Sequence, residues 1–477
     1  MDMRTNLTRR ARRRVLSGAL ALGMSLCAPL AATAESLADA MVGAYGFSGL
    51  LEQNRALLRA ADEDVAVQVS SLRPVIRWFS EVQRQFGVSS SAQTAFDAAG
   101  FATNSATIGI SAELMLFDFG QTQLAIDAAK ETVLATREGL VAVEQQILLN
   151  AVAAYTSVIR QSEFVQLRIN NQRLITQELR AARDRFEVGE VTRTDVALAE
   201  ARLAEASAGL AQARGDLAQA QAAYRNAVGR SPGNLTSPQD LPETAASLDR
   251  AIALAVRNHP EIKRAIREVA VADINVLRAE AAMKPTVRLT GQLGATENFG
   301  SRAFSRNGTV GVEAGGPIYQ GGRLSALVRQ SMARRDAARG NLHVVRQGVS
   351  QDAANAFARL TVARASRTAI GERIRAARVA FEGVREEATL GARTTLDVLN
   401  AEQELLDARA SLISALADEE LATFQLLSAM GLLTAAHLNL NVPRYDPAQY
   451  YNLVRDAPVK SRQGEDLDRV LKALGKD

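Results

Sequence analysis

Cysteine is all but missing from this 477-residue chain: the single one, Cys27, sits in an N-terminal apolar stretch. A disulfide framework is therefore excluded, and the rest of the chain has no thiol nucleophile. Histidine is nearly as scarce. His259, His343 and His437 are far apart and none has metal-ligand spacing, so no metal site is expected. There is no G-x-S-x-G elbow and no Walker lysine loop. Gly315-Gly316 and Gly321-Gly322 flank Pro317 without a dinucleotide fingerprint, and turn duty is the better reading. The paired acids Glu386-Glu387 and Glu419-Glu420 fall in helical tracts, where a solvated face is the expectation. No catalytic constellation remains, so neither enzymatic activity nor a cofactor is expected.

Aromatic residues reach only 5%, while alanine is abundant, a mix that favours close-packed helices over an aromatic core. No stretch reaches 18 consecutive apolar residues, which argues against a transmembrane helix. The net charge of +4 is misleading, because residues 1–34 carry six arginines against Asp2 and the remainder stands at −1. Global charge thus gives no reason to expect a nucleic-acid partner.

That basic N-terminus reads as a secretory signal. Arginines precede an apolar run from Val15 to Leu30, and Ala32-Thr33-Ala34 offers a cleavage site before Glu35. Arg13-Arg14 is only a faint twin-arginine match. Leu26 is too large to precede a lipidated cysteine, so a mature chain free of cysteine is expected.

The remaining chain is a repeat. At an offset of 202, Gly189, Thr192, Asp195, Val196, Ala199, Glu200, Leu203 and Ala206 meet identical residues at Gly391, Thr394, Asp397, Val398, Ala401, Glu402, Leu405 and Ala408. Gly120 likewise meets Gly322, Tyr155 meets Phe357 and Gly229 meets Gly431. Pro74 and Pro285 correspond at an offset of 211, so the first copy holds nine extra residues, expected in a longer loop. Proline is absent from 75 to 231 and from 318 to 442, tracts that permit long helices. Within them, Val196, Leu203, Leu210, Leu217 and Tyr224 recur every seven residues beside Ala199, Ala206, Ala213, Ala220 and Ala227. In copy two the alanines run 401, 408, 415, 422 and 429, and the partner series Val398, Leu405, Leu412, Glu419, Leu426 has one polar interruption. Both patterns signal coiled coils with close-approaching seams.

Each unit folds back once. Val188-Gly189 and Leu390-Gly391 look like helix ends capped by glycine, and Thr192…Asp195 and Thr394…Asp397 like capping boxes opening the next helix. The first arm, Gln121 to Phe186, would run roughly 100 Å at 1.5 Å per residue. Before each hairpin lie alternating tracts, Ile108 to Leu116 and Val287 to Leu293, with Val310 to Ala314 and Val75 to Phe86 as further strands. Ten-residue alternation fits transmembrane β-strands, though a periplasmic β-sandwich would read alike. Trp78 is either an interfacial belt residue or a core tryptophan. Four strands cannot close a barrel, so membrane insertion requires several chains to share one.

Leu116-Phe117-Asp118-Phe119-Gly120, its counterpart Ile318-Tyr319-Gln320-Gly321-Gly322, and the paired Gly-x-x-Thr-x-x-Asp-Val tips make residues 37 to 440 resemble the TolC outer-membrane efflux family. The resemblance implies a mainly α fold with transmembrane β: a two-repeat protomer of a trimeric, twelve-stranded outer-membrane β-barrel continuous with a long helical barrel in the periplasm. With the leader, the repeat and the proline clusters, the expected division is a signal peptide (1–34), a first repeat (35–232), a linker (233–246), a second repeat (247–440) and a periplasmic tail (441–477). The resemblance also implies a passive exit duct for protein secretion or small-molecule efflux, with a periplasmic adaptor, an inner-membrane ABC or proton-driven pump and outer-membrane lipid as partners. The missing lipid-anchor cysteine leans toward the secretion branch, although unlipidated members also export drugs.

The family's functional positions fall at the tips. Asp397 matches an entrance ring, Asn400 stands where a second acidic ring would be, and Arg393 and Asp195 match latch partners; the latch tyrosine would fall at Ala388 and is missing. Val188, Gly189, Glu190, Leu390, Gly391 and Ala392 match the grooves that adaptors engage. The aspartates are equally explained as helix caps, the glycines as turns and Arg393 as a solvated charge. An exported coiled-coil scaffold or adhesin without a pore is the competing function.

Overall fold

The computed structural model describes residues 35–89, 99–238, 240–300, 302–443, 445–457 and 469. The expected leader lies outside them, as does most of the tail. The first repeat comprises α1 (Leu37–Phe47), α2 (Gly49–Ser70), β1 (Val75–Ser89), β2 (Ala99–Phe117), α3 (Gln121–Glu187) and α4 (Arg193–Val228). The second comprises α5 (Leu248–Asn258), α6 (Pro260–Ala281), β3 (Thr286–Asn298), β4 (Phe304–Gly315), α7 (Arg323–Thr389) and α8 (Thr395–Ala429), and α9 (Pro447–Val454) follows. The helical lead-in to each repeat is broken in two. Ser48 accepts from the Leu51 amide to restart α2, and Pro260, which has no amide to donate, starts α6 behind His259.

α3 and α7 each run 67 residues, and each folds back along the helix that follows it. The alanine seam explains how closely they pair: Ala199, Ala206, Ala213 and Ala220 are buried, as are Ala408, Ala415 and Ala422. The largest core gathers where both hairpins meet α1, around Leu148, Val152, Tyr155, Tyr224, Leu426 and Met430. The expected solvated face at Glu419-Glu420 is wrong, because both acids are buried. Glu419 occupies a seam position and is held there by Arg367 and Arg364 of α7 at 3.0 and 3.6 Å.

The four strands form one antiparallel sheet in the order β1-β2-β3-β4. Facing pairs such as Trp78↔Ile110 and Ile110↔Leu293 put side chains on one face in line across three strands. That face carries Ile76, Trp78, Val82, Phe86, Ile108, Ile110, Leu293, Val310 and Val312, all exposed. Trp78 is 78% exposed, which rules out a core role. The opposite face carries Arg77, Glu81, Thr107, Ser111, Glu113, Arg288, Thr290, Gln292 and Thr309. Apolar on one side and polar on the other, with period two, is the pattern of a barrel wall between lipid and water.

The extra residues of copy one are not simply a loop. The β1/β2 ladder has 15 facing pairs and the β3/β4 ladder has 12, so three added rungs absorb six of the nine residues. The connection from 90 to 98 lies outside the described residues.

Sheet and stem are joined at two matching corners. Gly120 (φ 81°) and Gly322 (φ 82°) turn the chain from strand into long helix in the left-handed region. At the first corner Asp118 caps α3, accepting from the amides of Gly120 at 3.0 Å and Thr122 at 2.7 Å. At the second, Gln320 cannot supply a carboxylate and instead accepts from Arg323 Nη2 at 2.8 Å.

Candidate functional site

The two hairpin tips lie side by side at the end of the stem remote from the sheet. At the first, Gly189 (φ 82°) lets the Glu190 amide turn back to the Arg185 carbonyl at 2.9 Å. At the second, Gly391 (φ 78°) lets the Ala392 amide reach the Glu387 carbonyl at 2.9 Å. Both are helix ends closed by a left-handed residue. Val188 and Leu390 project from these turns with 71% and 81% of their surface exposed, so each tip presents an apolar knob to solvent.

Both predicted aspartates cap helices. Asp195 Oδ2 accepts from the Thr192 amide at 2.9 Å and hydroxyl at 2.7 Å. Asp397 Oδ2 does the same with Thr394 at 3.0 and 2.9 Å. These bonds hold both carboxyls below their ordinary pKa: for Asp195 the Thr192 hydroxyl is the main cause, for Asp397 the Thr394 amide. In each, Oδ1 remains without a cap contact and the charge stays at the tip.

Arg393 donates to Glu387 Oε2 at 2.8 Å within its own tip. It shares the walls of a cleft of about 500 Å³ between the tips with Asp195, Glu190, Arg185, Ala388 and Leu390. The structure thus brings Arg393 and Asp195 to one cleft without bonding them to each other among the described residues. Asn400 Oδ1 lies 3.4 Å from Arg202 Nη2 of α4 and so contacts the other hairpin.

One group escaped the heptad reading. Leu399, Glu402 and Leu406 form a second buried stripe on α8, facing the first hairpin and not its own seam. Asn171 of α3 donates to Glu402 Oε1 at 2.9 Å, and Glu402 Oε2 has no hydrogen-bond partner among the described residues. Burial pushes this carboxyl up to about 7, against the opposing pull of the Asn171 bond. The 399-402-406 spacing was the available signal, but it lies beside a stronger stripe.

The described residues contain no cluster of three metal-ligating side chains and no helix long and apolar enough to cross a membrane. Residues 48–230 and 251–432 each match the model of the outer membrane efflux protein family. The chain is 37% identical over 449 residues to the outer membrane efflux protein BepC of Brucella suis, covering 94% of this chain and 96% of that one. It is 25% identical over 314 residues to the alkaline protease secretion protein AprF of Pseudomonas aeruginosa, covering 62% and 63% respectively. Among solved structures it superposes on the channel CusC with a TM-score of 0.72 at 19% identity, covering 84% of this chain and 92% of that one. The two-faced sheet lies in the outer membrane and the helical stem in the periplasm, and together they form an exit channel. This chain belongs to the outer membrane efflux protein family.

Proposed function

We propose that this channel is the passive exit duct of a tripartite export system, working as a homotrimer. A four-stranded sheet whose two edge strands are unpaired among the described residues, apolar on one face and polar on the other, carries this reading. Such edges are costly in lipid unless other copies pair with them. Three copies would close twelve strands into one wall, and the six long arms would continue it as a tube. A non-pore scaffold or adhesin has no use for a sheet of this polarity.

In this reading the tips are the entrance. Asp397, Asn400, Arg393 and Asp195 line it, with Arg393 and Asp195 available to bridge across the cleft when the hairpins shift. The exposed knobs Val188 and Leu390, with Gly189, Glu190, Gly391 and Ala392 beside them, are the docking points for a periplasmic adaptor, which couples the duct to an inner-membrane pump. The larger likeness to a protein named for efflux favours efflux of small molecules. Export of proteins is the second reading, supported by the likeness to a protease secretion protein.

Reconstitution of the mature protein in planar bilayers tests the duct: discrete conductance steps are expected, and their consistent absence would overturn it. Fractionation separates the classes, since a heat-modifiable trimer in the outer membrane fits the duct and release with soluble periplasm fits the scaffold. Deletion of the gene should raise drug sensitivity for efflux, or empty the secretome for protein export.

A further inference from the structure

The repeat offers an internal control on Glu402. Its counterpart 202 residues earlier is Glu200, and the counterpart of Arg385 is Arg183. In the first hairpin these two meet: Arg183 Nη2 lies 2.6 Å from Glu200 Oε1, both side chains half-exposed. In the second hairpin the same two residues are present but apart. Glu402 is 5% exposed and bonded across the hairpins to Asn171, while Arg385 Nε lies 3.7 Å from Glu178 Oε1, also across the hairpins. A cavity of about 140 Å³ adjoins Glu402, lined by Asn170 and Asn171 of α3, Arg378 and Glu382 of α7, and Arg409 of α8.

We infer that Glu402 is a two-position latch: Asn171 of the first hairpin holds it in the arrangement seen here, and Arg385 of its own hairpin takes it when the hairpins part. The first hairpin displays the second position already made, in the Arg183–Glu200 pair. The inference rests on the reading of the tips as a gated entrance.

The latch responds to protons. A buried carboxyl facing Glu178 from α3, and Arg378, Glu382, Arg385 and Arg409 from α7 and α8, is favoured neutral where it stands, because burial outweighs these charges. The neutral acid keeps its bond from Asn171. Its ordinary value is 4.5 and here it is about 7, so the closed contact is fully stabilised below 4.5 and that advantage is lost as pH rises through about 7. Above that, ionisation releases the proton to solvent, and the carboxylate gains by leaving the cavity for Arg385. Glu402 is well placed for such a role, because Leu399 and Asn400 on the same turn also engage the first hairpin.

Single-channel recording of the trimer between about pH 5.5 and 8 tests this. Wild type should open more readily as pH rises, by roughly tenfold over the range. Glu402→Gln, which keeps the Asn171 bond and cannot ionise, should hold the low-pH behaviour throughout. Arg385→Gln, which removes the open-position partner of Glu402 together with the closed contact to Glu178, should flatten the rise of opening with pH, whereas Arg183→Gln should not. A Glu402→Gln channel that titrates like wild type, or Arg385→Gln and Arg183→Gln channels that behave alike, would overturn the latch. Hydrogen exchange across residues 395–409 of the detergent-solubilised wild-type trimer gives a readout that needs no conduction. Faster exchange above pH 7, after correction for intrinsic rates, supports the latch, and pH-independent exchange refutes it. Absence of channels with the expected exchange would count against the duct and not the latch.

Discussion

Arg367 reaches Glu419 at 3.0 Å across the seam of the second hairpin, where the corresponding positions of the first hairpin hold Val165 and Leu217. Val165 is buried there and Leu217 packs against it. The two repeats therefore fill one seam position in two ways, with an apolar pair and with an ion pair.

That difference predicts an asymmetry. Arg367→Val alone leaves the buried Glu419 with the longer contact to Arg364 and should destabilise by about 1–2 kcal/mol, because the half-exposed guanidinium is the nearer partner of that carboxylate. Arg367→Val with Glu419→Leu copies the first hairpin and should be neutral or stabilising. Chemical denaturation of the detergent-solubilised trimer measures both, and a double variant worse than the single one would contradict this account.

At the entrance, cap and charge can be separated. Thr394→Ala removes the hydroxyl that accepts from the Asp397 amide at 3.2 Å and should cost the helix about 1 kcal/mol while leaving the carboxylate in place. Asp397→Ala removes the charge as well. Block by polyvalent cations should weaken in Asp397→Ala and persist in Thr394→Ala; equal block in both would leave Asp397 a cap alone. Because the pKa of Asp397 is lowered, its cap is stable above the ordinary carboxylate range and is lost only as pH falls through that lowered value.

Asp62 of α2 is fully buried, with neither carboxylate oxygen hydrogen-bonded among the described residues. Burial pushes it up to about 6 from 3.8, with Arg137 opposing. Its cost therefore grows as pH rises from 3.8 through about 6 and is full at neutral pH. Asp62→Asn should raise the melting temperature by a few degrees at neutral pH, and the gain should shrink toward pH 4. A gain independent of pH would mean that the charge is not the cause.

In the sheet, Phe79 lies across Gly109, where a Cβ would fall 2.5 Å from the Phe79 ring and 2.6 Å from the Leu293 carbonyl. Gly109→Leu should displace Phe79 from the polar face and strain the β2/β3 ladder by about 1–3 kcal/mol. Gly109→Leu with Phe79→Ala should recover part of that loss. The yield of heat-modifiable trimer reads the effect.

Periodic features were legible in the sequence. The alanine series placed the seams, proline-free tracts set the 67-residue arms, and glycine with Thr…Asp set the tips, because each is a local property of one element. Alternation gave four strands with one apolar face, although the nine added residues lengthened a ladder more than a loop. What faces each stripe was decided by tertiary structure. Glu200 and Glu402 occupy the same position of the two repeats, yet one sits at the surface with Arg183 and the other is buried against Asn171. Likewise Glu419 read as solvated until Arg367 stood opposite it. A period reports which residues share a face of their own helix. Whether that face meets water, a cation or another hairpin depends on chain from about fifty to more than two hundred residues away, and so does the charge that the face can carry.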